Sequence, residues 1–188
     1  MNYRLILASN SPRRKELLKG LDLDFEVRII PDIDESYPPD TLPENIPSFI
    51  AQKKADAYKA TIGADELVIT ADTVVVLDGD IIEKPKDKND AIKMIKRLSG
   101  RKHQVITAVV LTTMEKCKEF SVMSTVDFSE LTNEEIEYYV ERYKPFDKAG
   151  AYGIQEWIGY IGVKGIEGSF YNVMGLPVQR LYRELKSF

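Results

Sequence analysis

The chain has one cysteine, one histidine and one tryptophan in 188 residues. Cys117 alone cannot close an internal disulfide, and with His103 as its only imidazole companion it cannot assemble an ordinary zinc site. No G-x-x-x-x-G-K-[ST] loop and no G-x-G-x-x-G fingerprint occurs, which excludes the two commonest nucleotide-binding glycine loops. Long apolar runs are also missing: 74–77 and 108–111 fall far below membrane-spanning length, so no membrane partner is expected. An excess of positive charge is lacking too. A net charge of −4 argues against a nucleic-acid polymer, whose backbone selects broad basic surfaces, and leaves room for a small phosphorylated ligand. No charged-then-apolar leader opens the chain, and the expected compartment is the cytoplasm.

What is present alternates between strand-like and helix-like stretches. Apolar spacing predicts helices near 12–19, 46–60, 88–98, 133–143 and 177–186, and strands near 4–8, 25–30, 66–77, 81–83, 103–113, 118–128 and 157–163. Asp87 with Asp90 and the box from Thr132 to Glu135 signal helix starts, and Gly20 and Gly100 signal stops. Asp78-Gly79 marks a hairpin, which makes a mixed sheet the expectation over a purely parallel one. The length fits one domain over 1–188, of one lobe or two.

Between Leu5-Ile6-Leu7-Ala8 and a helix-like run stands Ser9-Asn10-Ser11-Pro12-Arg13-Arg14. Ser11 suits an N-cap and Pro12 the first helical position, so backbone amides and two guanidinium groups collect where a strand meets a helix. Such a junction is either an anion site or a capped helix with exposed arginines. Asp72, in Ala71-Asp72-Thr73, interrupts a strongly apolar strand, where a carboxylate is costly to bury unless it is hydrogen-bonded or binds something. Lys54 falls on the apolar stripe of its helix, four residues from Ile50 and from Tyr58, and its stem either snorkels or aims its ammonium at a ligand. Lys84 sits before Pro85 in a turn. Asp32, Asp34 and Glu35 form a carboxylate cluster that offers a metal ligand or faces water. His103 lies in an alternating run with Val105, Thr107, Val109 and Leu111, which reads as a partly buried strand histidine rather than a triad member. The chemistry left to carboxylates, lysines and arginines suits phosphate transfer with a hard cation.

Ser9-x-Ser11-Pro12-Arg13-Arg14, Ala71-Asp72-Thr73, Glu83-Lys84-Pro85, Ser99-Gly100-Arg101-x-His103-x-Val105-x-Thr107-Ala108-Val109, the run from Asp147 to Gln155, and Gly175-Leu176-Pro177 together resemble the ordered motifs of the Maf (septum formation) family. The resemblance covers nearly the whole chain. It implies an α/β fold similar to inosine triphosphatase, with an elongated mixed β-sheet, flanking helices and a central cleft. It also implies a nucleoside triphosphate pyrophosphatase that releases pyrophosphate and a nucleoside monophosphate, with a divalent cation, Mg²⁺ or Mn²⁺, as cofactor. The resemblance makes Asp72 the general base and Lys54 and Lys84 phosphate-facing cations. It links Arg13, Thr73 and Gln155 to substrate choice, adds Ser9, Ser11 and Arg14 to the substrate site, and gives Glu35 and Asp72 to the metal. The stretch ending at Gln155 resembles the branch that hydrolyses dTTP and UTP, and a carboxamide can both donate to and accept from a uracil or thymine edge. Lys144-Pro145 stands where many members have Glu-Pro, and Glu156-Trp157 follows where small residues are common. The expected assembly is a homodimer. Two other readings stay open, a nucleotide-binding regulator of cell division without catalysis and a different phosphate hydrolase.

Overall fold

The computed structural model describes residues 3–188 and forms one seven-stranded mixed sheet flanked by helices. The strands are β1 (Arg4–Leu7), β2 (Phe25–Val27), β3 (Glu66–Leu77), β4 (Asp80–Ile82), β5 (Lys102–Thr112), β6 (Cys117–Phe128) and β7 (Val163–Glu167). The helices are α1 (Pro12–Lys19), α2 (Ile46–Tyr58), α3 (Lys88–Leu98), α4 (Asn133–Tyr143), α5 (Trp157–Gly162), α6 (Phe170–Met174) and α7 (Val178–Ser187). Strand order is β2-β1-β3-β5-β6-β7, with β4 paired to β3. β1 lies parallel to both β2 and β3, while β3–β4 and β6–β7 are antiparallel. The hairpin joining β3 to β4 turns at Asp78 (φ 53°) and Gly79 (φ 87°), two successive left-handed positions that suit the twist of a two-residue hairpin.

The chain divides into two compact units. The first takes 1–73, 107–122 and 175–188; the second takes 74–106 and 123–174. Inside the first, Ile6 of β1, Ala8 just after it and Val68 of β3 pack with Tyr58 and Ile62, and Ala51 and Ala55 of α2 pack with Ala108 and Val110 of β5. The small alanines let the helix backbone come close to the sheet, close enough for Thr70 Oγ1 to donate to the Ala51 carbonyl at 2.8 Å. Inside the second unit, Val75, Leu77, Val105, Val126 and Phe128 meet the apolar faces of α3 and α4.

Local signals hold where they are specific. Asp87 Oδ1 accepts from the Asp90 amide at 2.8 Å, and the Thr132–Glu135 capping box makes both of its bonds. The predicted strand over 25–30 ends at Val27, because the Tyr58 hydroxyl diverts the chain by donating to the Arg28 carbonyl (2.8 Å) and accepting from the Ile30 amide (2.9 Å). The predicted strand over 157–163 is a correction: Trp157–Gly162 is helical and the strand begins at Val163. Only Ile158 and Gly162, four apart, are buried there, whereas Tyr160 is 85% exposed, so burial follows a helical period. Gly159 allows the tight turn, since a Cβ there would collide with the Ile154 carbonyl. The helix Phe170–Met174 carries no sequence signal strong enough to anticipate it.

Candidate active site

The junction from β1 to α1 folds on its own hydroxyls. Ser11 caps α1, its Oγ accepting the Arg14 amide at 3.4 Å, and the Ser11 amide donates to Ser9 Oγ at 3.2 Å. Pro12 opens the helix and Arg13, half-buried, follows it.

Arg14 is engaged at all three guanidinium nitrogens. Nε donates to the Gly175 carbonyl at 2.9 Å, Nη1 to the Ala71 carbonyl at 2.8 Å and to Ser9 Oγ at 3.4 Å, and Nη2 to Thr73 Oγ1 at 3.1 Å. Thr73 Oγ1 also lies 2.9 Å from Thr107 Oγ1. The planar fork thus grips the residues on both sides of Asp72. Burial pushes the guanidinium below its ordinary value, opposed by the neighbouring Asp72 charge.

Because side chains alternate along a strand, Asp72 projects to the face opposite Ala71 and Thr73, the face that α2 covers. There Lys54 Nζ donates to Asp72 Oδ1 at 2.9 Å and stands 3.0 Å from Glu35 Oε1. Lys54 and Asp72 are 12% and 13% exposed in their side chains and Glu35 is 49%, so a nearly enclosed pair ends at an open carboxylate. Nearby, Lys53 pairs with Asp34 at 2.7 Å.

Among the described residues no cluster of three or more histidine, cysteine or acidic side chains could cage a metal ion. Two carboxylates meeting one ammonium fit a hard cation of the magnesium type only if phosphate oxygens and water complete its shell, which is how such ions are usually held beside phosphates. Glu35 and Asp72 are the residues present for that task.

Ser9, Ser11, Arg13, Arg14, Glu35, Lys54, Asp72 and Thr73 all belong to the first unit, where hydrogen bonds join Ser9, Ser11, Arg14 and Thr73 and ion pairs join Glu35, Lys54 and Asp72. Lys84 and Gln155 belong to the second. Lys84 is exposed, following Glu83, whose carbonyl accepts from the Gly150 amide at 3.1 Å. Gln155 is half-buried, and its Oε1 is buried with no hydrogen-bond partner among the described residues. The residues flanking it are tied to Tyr139, which no sequence motif marks. The Gly153 amide donates to the Tyr139 hydroxyl at 2.9 Å, that hydroxyl donates in turn to Glu156 Oε2, and Lys148 Nζ lies 3.2 Å from Glu156 Oε1. His103 is a buried strand histidine as expected, with Nε2 2.7 Å from the Tyr152 hydroxyl, its ring edge-on to Phe128, and burial pulling it down to about 4.

Fold and site together define an α/β protein in which a strand–helix junction capped by Ser11 stands beside a carboxylate pair bridged by lysine. A HAM1 protein from Coxiella burnetii shares the fold, with a TM-score of 0.53 at 14% identity over 99% of this chain and 100% of that one. The chain belongs to the Maf family, whose model, described as Maf-like protein, matches residues 4–188. It is similar to the dTTP/UTP pyrophosphatase of Bacteroides thetaiotaomicron, 59% identical over 184 residues that cover 98% of this chain and 95% of that one. It is also similar to the dTTP/UTP pyrophosphatase of Porphyromonas gingivalis, 55% identical over 188 residues that cover 99% and 94%.

Proposed function

We propose that this protein is a cytoplasmic nucleoside triphosphate pyrophosphatase that hydrolyses dTTP and UTP to the nucleoside monophosphate and pyrophosphate. The observation that carries the reading is Asp72, a carboxylate in an apolar strand, paired with Lys54 on one side of the strand and braced by Arg14 through its neighbours on the other. The substrate class rests on relatives more than half identical along nearly the whole chain. The single exposed thiol, which has no disulfide partner to make, suits a reducing compartment.

Asp72 accepts a proton from a water molecule and orients it in line with the bond between the α-phosphorus and the bridging oxygen. The water oxygen bonds to phosphorus, the anhydride bond breaks, and its electron pair leaves with pyrophosphate. Arg13, Lys54 and Lys84 meet the triphosphate, where cationic donors stabilise charge growing on the leaving group. Ser9 and Ser11 shape the turn that receives the phosphates, and Arg14 holds the Asp72 segment still. Glu35 and Asp72 would hold Mg²⁺ or Mn²⁺, which neutralises triphosphate charge when bound. Gln155 meets the base: its buried acceptor suits the N3–H donor that uracil and thymine share. Thr73 assists by sharing the Arg14 brace.

A nucleotide panel with separate detection of phosphate and pyrophosphate, run with divalent metal and again with EDTA, tests this. UTP and dTTP should yield pyrophosphate in the metal-containing arm alone, and Asp72→Asn should lower turnover by about two to four orders of magnitude while nucleotide affinity stays within about tenfold. Inorganic phosphate with UDP as products would make the protein a γ-phosphatase, and full activity in EDTA would remove the metal.

A further inference from the structure

A carboxamide can read a uracil edge only if it cannot turn over. Uracil and thymine present N3–H as a donor beside the O4 acceptor, whereas cytosine presents a bare N3 acceptor beside an N4 donor. A glutamine free to flip exchanges its oxygen and its NH₂ and greets either pattern equally. Preference for uracil over cytosine therefore depends on where the carboxamide is held against the base edge, and Gln155, whose buried oxygen lacks a partner, has no bond of its own at that atom, which leaves its placing to the segment that carries it.

The residues on both sides of Gln155 are tied to one phenol. Tyr139 is fully buried, and its ring stacks on Tyr143 with centroids 5.1 Å apart. Its hydroxyl accepts the Gly153 amide at 2.9 Å and donates to the Glu156 carboxylate. The Glu156 amide donates back to the Gly153 carbonyl at 2.9 Å, and the Glu156 carboxylate lies directly over Gly153, leaving no room there for a Cβ. Behind this stands Lys148, 8% exposed, its ammonium 3.2 Å from Glu156 and 2.8 Å from Asp147. Gln155 is thus the one residue between Gly153 and Glu156 besides Ile154, held in a loop pinned at both ends.

Resting on the reading of Gln155 as the group that meets the base, we propose that Tyr139 is a positioning residue for specificity, its hydroxyl fixing the Gly153–Glu156 segment that carries Gln155 and so where the carboxamide stands against the base edge, with Lys148 fixing the Glu156 carboxylate. None of the three touches the nucleotide. Their loss acts on discrimination between bases and leaves the chemistry at phosphorus alone.

The test compares kcat/KM for UTP and CTP in the wild type, Tyr139→Phe, Glu156→Ala, Gln155→Ala and the double variant Tyr139→Phe/Gln155→Ala. Tyr139→Phe keeps the buried ring and deletes one oxygen, and Glu156→Ala attacks the same lock from a half-buried position should the phenylalanine variant fail to fold. Each is expected to shrink the UTP-to-CTP ratio by about tenfold, mostly through KM, with kcat for UTP nearly intact. The double variant should discriminate no less than Gln155→Ala alone. Equal losses for both nucleotides would assign Tyr139 to general stability and overturn the proposal. If Gln155→Ala collapses the ratio while Tyr139→Phe and Glu156→Ala leave it intact, the lock fails and the base-reading role stands. If Gln155→Ala itself leaves the ratio unchanged, the base-reading role fails and takes the lock with it.

Discussion

Arg13 and Arg14 read alike in the sequence, two guanidinium groups in the first turn of α1, yet Arg14 spends its donors on protein acceptors that bracket Asp72. Lysine keeps the charge of Arg14 but offers one ammonium where three nitrogens are used, so it cannot span Gly175, Ala71 and Thr73 together. Arg14→Lys should therefore lower kcat by about tenfold to a hundredfold with KM nearly unchanged, the scale of a small displacement of a reacting group. Arg13→Ala should act mainly on KM for the nucleotide. Steady-state kinetics with UTP decide the matter, and a Arg14→Lys variant with normal kcat would make the brace dispensable. The sequence marks both arginines as phosphate candidates because their pattern reports residue type and spacing; which acceptors reach Arg14 depends on Gly175, 161 positions away, which no local window contains.

Among the elements, α4 shows how much a local signal can carry. The Glu135 amide donates to Thr132 Oγ1 at 3.2 Å and the Thr132 amide to Glu135 Oε2 at 2.8 Å, two donors at a helix start satisfied by neighbours three residues apart. Thr132→Ala should cost about 1 kcal/mol in urea unfolding with an unchanged slope, and Thr132→Ser should restore most of it. Elements fixed by such bonds are legible in advance: α1 behind Ser11-Pro12, α3 behind Asp87, the hairpin at Asp78-Gly79. The segment 157–162 is not, since a short apolar run with two glycines has too few residues for a periodicity to declare itself, and its helical form follows from packing of Ile158 and Gly162. The site divides the same way. Asp72 and Lys54 stand out as polar groups on apolar faces, whereas Tyr139 looks like any core tyrosine of an amphipathic helix until its hydroxyl partners are seen.

For the molecule as a whole, one buried acid links stability to pH. Glu66, 3% exposed, receives Arg28 at 2.7 and 2.8 Å, the Gly63 amide at 2.9 Å and Arg4. These donors, Arg28 foremost, hold its carboxyl at about 2 against an ordinary 4.5. A folded value below the unfolded one adds stability that is complete above pH 4.5 and disappears as the pH falls from there toward 2. Glu66→Gln should be less stable than wild type by roughly 2 kcal/mol at pH 7, the scale of a charge-assisted hydrogen bond, and the gap should close across that acid window in pH-dependent urea titrations. A constant gap would assign the loss to packing. The first unit, to which Glu66 belongs, is assembled from three separate stretches of chain, and this gives the Arg14 brace a place in time. A polypeptide emerges from the ribosome amino end first, so Arg14 waits through the synthesis of 161 further positions before its Gly175 acceptor exists. A nascent chain released before position 175 carries Asp72, Lys54 and Glu35 without the last acceptor of the brace, and the carboxylate segment of this protein is fully tethered only once Gly175 has been made.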